Sequence, residues 1–396
     1  MRFCVVLIAC LLSVGLEADV LIHVPEVTPR LFSIRAAISP AAETRRQESH
    51  PPLWTMPEHL TLNQQENLPT QSFLRMPAEF ERQEAILIAT RELADEYPDL
   101  FLDLVSAIIP RAKVALLLNG ERDREFVAEL FDRRFVQPKQ VIALDVAHDT
   151  MWVRDYGPVF VEDADQNRIV VDADYLYLKR ESDNDVPKGV ANLLGTPIMQ
   201  TRFELDGGNL LSNGHGLIIS TTALMEQDSQ VGQTEPEVCL LLERRFGADQ
   251  VILLEPLEGE PSGHVDMFAM FISHNTAVVG SYDPTEDAPN ARILDRNARR
   301  LRALTTPAGT PIKVIRIPMP PHKNGVWRTY TNAIFANGSL LVPHYDTAPD
   351  QVQKEAVAVL KKALPRWDIV PIDCSEIIGL GGALHCISTQ IPAQWR

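Results

Sequence analysis

One design recurs along this chain and limits its possible folds more than any other feature. A polar residue leads into an apolar strand, a tight turn and a second apolar strand. Asp155 opens the segment that runs to Val161 and turns through Asp165-Gln166-Asn167 into Ile169–Val171. Asn209 opens a second copy that turns at Asn213-Gly214 into Leu217–Thr221. Asp266 opens a third, turning at His274-Asn275 into Ala277–Val279, and Asn332 a fourth, turning at Asn337-Gly338 into Leu340–Val342. Cys386 starts a fifth copy that has only its first strand. Roughly 55 to 65 residues separate the leading positions, enough for a hairpin, a helix and one further strand. Units of that size arrange radially or as a stack.

Helical spacing fills the intervals. Thr234 and Glu237 form a capping box with Pro236 in the first turn; Val238, Leu241 and Leu242 make one apolar face, and Gly247 ends it. Val352, Ala356, Val359, Leu360 and Ala363 repeat the pattern before Pro365, and further helices are expected over 97–109, 124–134 and 290–304. The apolar runs 84–89 and 113–118 read as strands buried on both faces. They are expected to complete the fifth unit and close a ring. The fold class is then α/β, with Asp155, Asn209, Asp266, Asn332 and Cys386 meeting near one axis.

The chain also carries an address. Met1-Arg-Phe precedes an apolar run from Cys4 to Leu16, too short to span a bilayer, which needs roughly twenty residues. It reads as a signal peptide over 1–18 for export, secreted or periplasmic, in preference to a lipid anchor at Cys10. Residues 19–71, rich in Pro, Gln and Glu, read as an arm or linker, leaving 72–396 as a single catalytic domain. No other window is long and apolar enough for a transmembrane span. Removal of the leader would leave Cys239, Cys374 and Cys386, an odd number that implies at least one free thiol.

The residues gathered at the axis suggest a chemistry. On a strand, His264 and Asp266 would share a face. Two carboxylates beside a thiol raise its pKa and disable it, so their use must be to hold a cation. A planar cation matched by two carboxylates is a guanidinium, with five donors in a fixed fork. Its bound charge favours the Cys386 thiolate, which can attack the central carbon while His264 protonates the departing nitrogen and then activates water. These roles add up to hydrolysis of a C–N bond in a guanidine.

Met151-Trp-Val-Arg-Asp-Tyr-Gly-Pro158, Gly207-Gly-Asn209, His264-Val-Asp266, Tyr330-Thr-Asn332 and Gly382-Ala-Leu-His-Cys386 resemble the motifs of guanidino-group-modifying enzymes. Within these they are similar to the family joining agmatine deiminases to Porphyromonas-type peptidylarginine deiminases, and Arg75-Met-Pro-Ala-Glu-Phe80 matches its opening. The resemblance runs from about 72 to the C-terminus. It implies a pseudo-fivefold α/β propeller (pentein fold) of ββαβ units, a covalent thiouronium intermediate, release of ammonia and no required cofactor. It implies Cys386 as nucleophile, His264 as acid and base, Asp155 and Asp266 as guanidinium-binding carboxylates, and Asn332 as a site asparagine. Trp152, Asp206 and Asn209 are further candidates for substrate contact, Asn209 alternatively supporting the site from behind.

Departures from the agmatine deiminase pattern bear on substrate. Asp206 stands where Glu is usual, Ala383-Leu384 replace Asn-Ile, and Tyr177-Leu-Lys-Arg-Glu-Ser-Asp-Asn-Asp-Val-Pro187 resembles the peptidylarginine branch. In that branch an arginine in this stretch meets a substrate carboxylate, a role for Arg180 or, failing that, Lys179. An arginine at the rim would repel the ammonium of agmatine and welcome a carboxylate. The expected substrate is therefore arginine, free or ending a peptide, converted to citrulline. The rival is agmatine, giving N-carbamoylputrescine on the way to putrescine; a non-catalytic binder of cations is a third reading. A papain-like protease does not suit a cysteine so near the C-terminus.

Charge narrows the partners. With 53 acidic against 37 basic residues the formal charge is −16, which repels phosphate backbones and excludes a nucleic-acid partner. Asp163–Asn167 is expected to be a hairpin turn, since Arg168 stands where a calcium loop needs Gly. His264, His274 and His385 lack zinc spacing, so no metal is expected. Arg154 could pair with Asp155 structurally; Cys239 is expected to pack in its helix, and Cys374 has no evident role.

Overall fold

Apolar runs punctuated by Asn-Gly and related turns become hairpins, and each hairpin gains a parallel third strand after a helical crossover. The structure, a computed structural model, describes residues 74–394 except 137, 228, 229 and 231. The expected leader over 1–18 and arm over 19–71 lie outside the described residues. No helix among the described residues is long and apolar enough to cross a membrane.

Five sheets follow one plan. Val159–Glu162 pairs antiparallel with Arg168–Asp174, which pairs parallel with Ile198–Glu204. The same order joins Leu211–Ser212, Leu217–Thr221 and Gln250–Leu254. It recurs in Ala269–Ser273, Thr276–Ser281 and Lys313–Pro318. Ile334–Ala336, Ser339–His344 and Asp368–Asp373 make the fourth copy. In the fifth, Ser388–Pro392 pairs antiparallel with Gln83–Ala89, which is followed in parallel by Lys113–Leu118 and Val141–Asp145. The N-terminal strands thus supply what the last unit lacks, and that sheet gains a fourth strand absent from the sequence reading.

The crossover helices lie where their spacing places them: Pro98–Ile108, Glu121–Arg134, Glu235–Phe246, Ala288–Arg302 and Asp350–Ala363. The Thr234 amide and hydroxyl both meet the Glu237 carboxylate at 2.8 Å, closing the capping box, and Gly247 ends that helix at φ 67°. The helices bury their apolar stripes against the sheets; Phe101, Leu104, Val105 and Ile108 are fully enclosed.

One expectation about local structure is corrected. Asp266 does not lie on a strand with His264 but on the short helical turn Val265–Met267 that precedes its strand, as Asp155 and Asn209 lie on Val153–Tyr156 and Gly207–Asn209. His264 precedes the turn Val265–Met267, so it shares no strand face with Asp266. Contacts with distant segments fix these turns: Asn209 bonds to the Thr221 and Val265 amides, and Asp266 to the Asn332 and His385 side chains.

Candidate active site

The five turns are stitched into a cycle. The Gly208 amide bonds to the Asp155 carboxylate, joining the first turn to the second. Asn209 Oδ1 accepts from the amides of Thr221 and Val265 at 3.1 Å each, joining the second to the third. Asn332 Nδ2 donates to Asp266 Oδ2 at 2.9 Å, and Asn332 Oδ1 accepts from the amides of His385 and Cys386 at 3.0 and 3.3 Å. The Arg154 amide donates to the Cys386 carbonyl at 3.2 Å and completes the round. Residues far apart in sequence are thereby brought to one place.

Two glycines make the close approach possible. A Cβ on Gly208 would lie 2.7 Å from Asp155 Oδ1, 2.7 Å from His264 Nδ1 and 3.3 Å from Asp266 Oδ2. A Cβ on Gly382 would lie 2.6 Å from the Trp152 ring and 3.0 Å from Cys386 Sγ. Asp155, His264 and Asp266 therefore converge on one point, and Trp152 lies beside the sulfur.

The carboxylates share a pattern of anchored and free oxygens. Asp266 Oδ2 accepts from Asn332, from His385 Nδ1 at 2.7 Å and from the Cys386 thiol at 3.6 Å. Asp206 Oδ2 accepts from His264 Nε2 at 3.2 Å and from the Tyr177 hydroxyl at 2.8 Å. Oδ1 of Asp266, of Asp206 and of Asp155 is buried with no hydrogen-bond partner. An unsatisfied buried acceptor costs on the order of 1–3 kcal/mol, more when charged, so three together ask for a ligand rich in donors. A guanidinium offers five.

Electrostatics agree. Burial raises Asp155 to about 7; His264 pulls the other way, and Asp206 and Asp266 add to the rise. Burial opposes the charged His264 ring, yet Asp155, Asp206 and Asp266 outweigh it and push its pKa up to about 10. His264 is therefore protonated at neutral pH. The Cys386 thiol is held well above its ordinary value by burial, then by Asp266 and Asp155, with the Asn332 amide opposing. Beside these carboxylates the sulfur is a thiol, so alkylation of Cys386 in the protein alone by iodoacetamide should still be accelerating above pH 9. A rate that levels off below pH 8 would contradict this.

His385 lies inside the Gly382–Cys386 motif, and sequence alone assigns it no role. Its Nδ1 donates to Asp266 and its Nε2 lies 2.9 Å from Glu79, which pairs at 2.9 Å with buried Arg154. Burial and Arg154 act against the charged His385 ring, but Glu79 and Asp266 raise its pKa overall. Glu79 falls to about 2 because Arg154 and His385 overcome its burial. Arg154 donates to Glu79 and Gln390, so the alternative pairing of Arg154 with Asp155 does not form. Only the Arg75–Phe80 match drew attention to the segment containing Glu79, and nothing there marks a pair with residues 75 and 306 positions away.

The remaining candidates fall into two groups. Arg180 donates to the Tyr175 hydroxyl at 2.7 Å and lies 5.4 Å above the Tyr177 ring, which itself reaches Asp206. It is thus two contacts from the carboxylates. Asn209 spends its oxygen on backbone amides and supports the site from behind. Lys179, at φ 65°, reverses the chain just before Arg180. Asp163 accepts from the Asp165 and Asn167 amides in a hairpin turn. Cys239 is half-buried on its helix and Cys374 is buried; both are free, as is Cys386. Among the described residues, only His344, Asp346 and Asp373 cluster with metal-ligand geometry, at the surface. A cleft of about 780 Å³ lined by Arg82, Arg111 and Lys113 includes none of Asp155, Asp206, His264, Asp266, Asn332 or Cys386.

Comparisons with known proteins point the same way. A relative from Photobacterium profundum, provisionally named an agmatine deiminase, is 26% identical over 82% of this chain and 97% of its own length. The solved structure of a Porphyromonas gingivalis protein, provisionally described as an arginine deiminase, aligns at TM-score 0.70 and 23% identity over 81% of this chain and 99% of that one. An agmatine deiminase from C. jejuni, solved with substrate bound, aligns at TM-score 0.71 and 21% identity over 84% and 100% of the two chains. At these identities the solved structures establish the shared fold. The family model described as Porphyromonas-type peptidyl-arginine deiminase matches residues 75–392, which takes in all five turns, and this chain belongs to that family.

Proposed function

We propose that this protein hydrolyses the guanidino group of arginine, free or at the C-terminus of a peptide, to give citrulline and ammonia. The observation that carries this is the set of three buried carboxylate oxygens without a hydrogen bond, Oδ1 of Asp155, Asp206 and Asp266, in the cluster where Asp266 also reaches the Cys386 sulfur. Asp155 and Asp266 take the guanidinium, whose positive charge lowers the cost of ionising Cys386. As the cation binds, the Cys386 S–H bond breaks with its proton leaving to solvent, and the thiolate forms a C–S bond to the central carbon. The C–N bond then breaks, with the His264 proton leaving on ammonia. Neutral His264 next takes a proton from water, and the hydroxide adds to the same carbon. The sulfur regains a proton from the hydroxyl of this adduct when the C–S bond breaks, and the ureido product departs. Asn332 steadies the sulfur throughout, with Nδ2 3.1 Å away.

Arg180 supports the carboxylate-bearing substrate, being a cation fixed by two tyrosines at the edge of the site. The names of the relatives favour a second substrate, agmatine. Ammonia release from agmatine, free arginine and arginine-terminated peptides separates the two. Arg180→Gln should raise KM for the peptide about tenfold, the worth of one charge-assisted bond, and leave agmatine unaffected or improved. A wild type that prefers agmatine would overturn the assignment. The Met1–Ala18 segment supports an exported enzyme, to be checked by sequencing the N-terminus of the mature protein.

A further inference from the structure

Beyond the strand Arg168–Asp174 the chain runs Tyr175-Leu-Tyr-Leu-Lys-Arg180 along the edge of the site. Its apolar side chains are divided in an unusual way. Tyr175 is buried, whereas Leu176 is 59% and Leu178 91% exposed, with Tyr177 between them at 44%. The Tyr175 and Tyr177 rings sit 4.5 Å apart, and Arg180 covers the second while bonding to the first. From this half-exposed position the Tyr177 hydroxyl reaches inward to Asp206 Oδ2, the same oxygen that faces His264 Nε2. One carboxylate oxygen is therefore shared between a solvent-facing segment and the proton-carrying histidine.

We propose that Tyr177 is a positioning residue that sets the proton affinity of His264 through Asp206, and so couples proton transfer to what occupies the exposed segment Leu176–Arg180. The hydroxyl donates to Asp206 and draws charge from it, leaving the carboxylate a weaker partner for the imidazolium. A peptide main chain resting on Leu176 and Leu178, with its carboxylate on Arg180, presses on the tyrosine ring from outside. A small guanidine without that main chain does not. The substrate class this favours is an arginine preceded by an apolar residue, and that part rests on the reaction proposed above.

Other groups also act on His264 and must be held constant. Asp155 reaches it from the turn Val153–Tyr156, Asp266 from the turn Val265–Met267, and Glu260 from the loop ahead of it. Tyr177 itself feels Asp206 first among charges, then Asp155 and Glu204. None of these changes in Tyr177→Phe, which keeps the ring stack and removes one hydroxyl.

The test is the histidine ring titration followed by nitrogen NMR, which needs no turnover. Tyr177→Phe should move the His264 midpoint upward by several tenths of a unit to about one unit. Leu178→Ala should leave it in place. In an Asp206→Asn background the Tyr177→Phe shift should vanish, because the shared acceptor no longer carries charge. An unchanged midpoint in Tyr177→Phe, or a shift that persists without the Asp206 charge, overturns the proposal. Kinetics give a second readout: for an arginine-terminated peptide with an apolar penultimate residue, Tyr177→Phe should lower kcat severalfold with KM nearly unchanged. A purely structural tether would instead raise KM and leave the His264 midpoint alone. Wild-type inactivity on every guanidine would defeat the proposed reaction, while the titration still decides the role of Tyr177.

Discussion

Cys386→Ser should lose about four orders of magnitude or more in kcat for ammonia release, yet still bind the substrate. In the proposed reaction the sulfur forms the bond to carbon, and a serine hydroxyl surrounded by Asp155 and Asp266 is far harder to ionise than a thiol. The groups that grip the guanidinium do not involve sulfur, so calorimetry should find the dissociation constant within severalfold of the wild-type KM. The roles of Asn332 and Asp266 make the same case from the other side, since both reach Sγ and neither can replace it as a nucleophile. Turnover within tenfold of wild type would show that Cys386 is not the attacking group.

The second large effect is expected at a residue with no side chain. Gly208→Ala places a methyl group 2.7 Å from both Asp155 Oδ1 and His264 Nδ1, closer than real contacts allow. At least one of the two must move, and a displacement of about 1 Å in a catalytic group costs on the order of a hundredfold. The neighbours that yield are side-chain atoms in a charged cluster, so the fold should survive. The measurement is kcat/KM together with Tm: a hundredfold loss or more in the first, a few degrees or less in the second. An alanine variant within threefold of wild type would mean that the turn Gly207–Asn209 does not form the floor of the site.

How much of this was legible in the sequence follows from what each residue signals. The hairpin copies announce themselves because Asn-Gly turns and alternating apolar runs are local features, and Ser388–Pro392 was readable as half a unit for that reason. The helix at Glu235 was readable from its own capping box. What stayed hidden was contact between distant segments. Glu79 gains its meaning only from Arg154 and His385, and no local pattern couples position 79 to position 385. The strand placement of His264 and Asp266 failed for a related reason: periodicity sees the apolar residues after Asp266 and extends the strand backward. The backbone instead coils there and presents the Val265 amide to Asn209. Tyr177 was visible only as part of a charged-looking stretch, where its hydroxyl bond inward could not be seen.

The closing strand has a consequence for how the protein comes to life. Cys386 is held beside Asp155 and Asp266 through a segment that pairs with Gln83–Ala89, from the far end of the described chain. The site is therefore complete only when the two ends of the described chain are paired. Four finished sheets without that pair leave Cys386 unplaced, so in the proposed reaction the appearance of ammonia reports the joining of the two ends, which a spectroscopic signal of secondary structure does not.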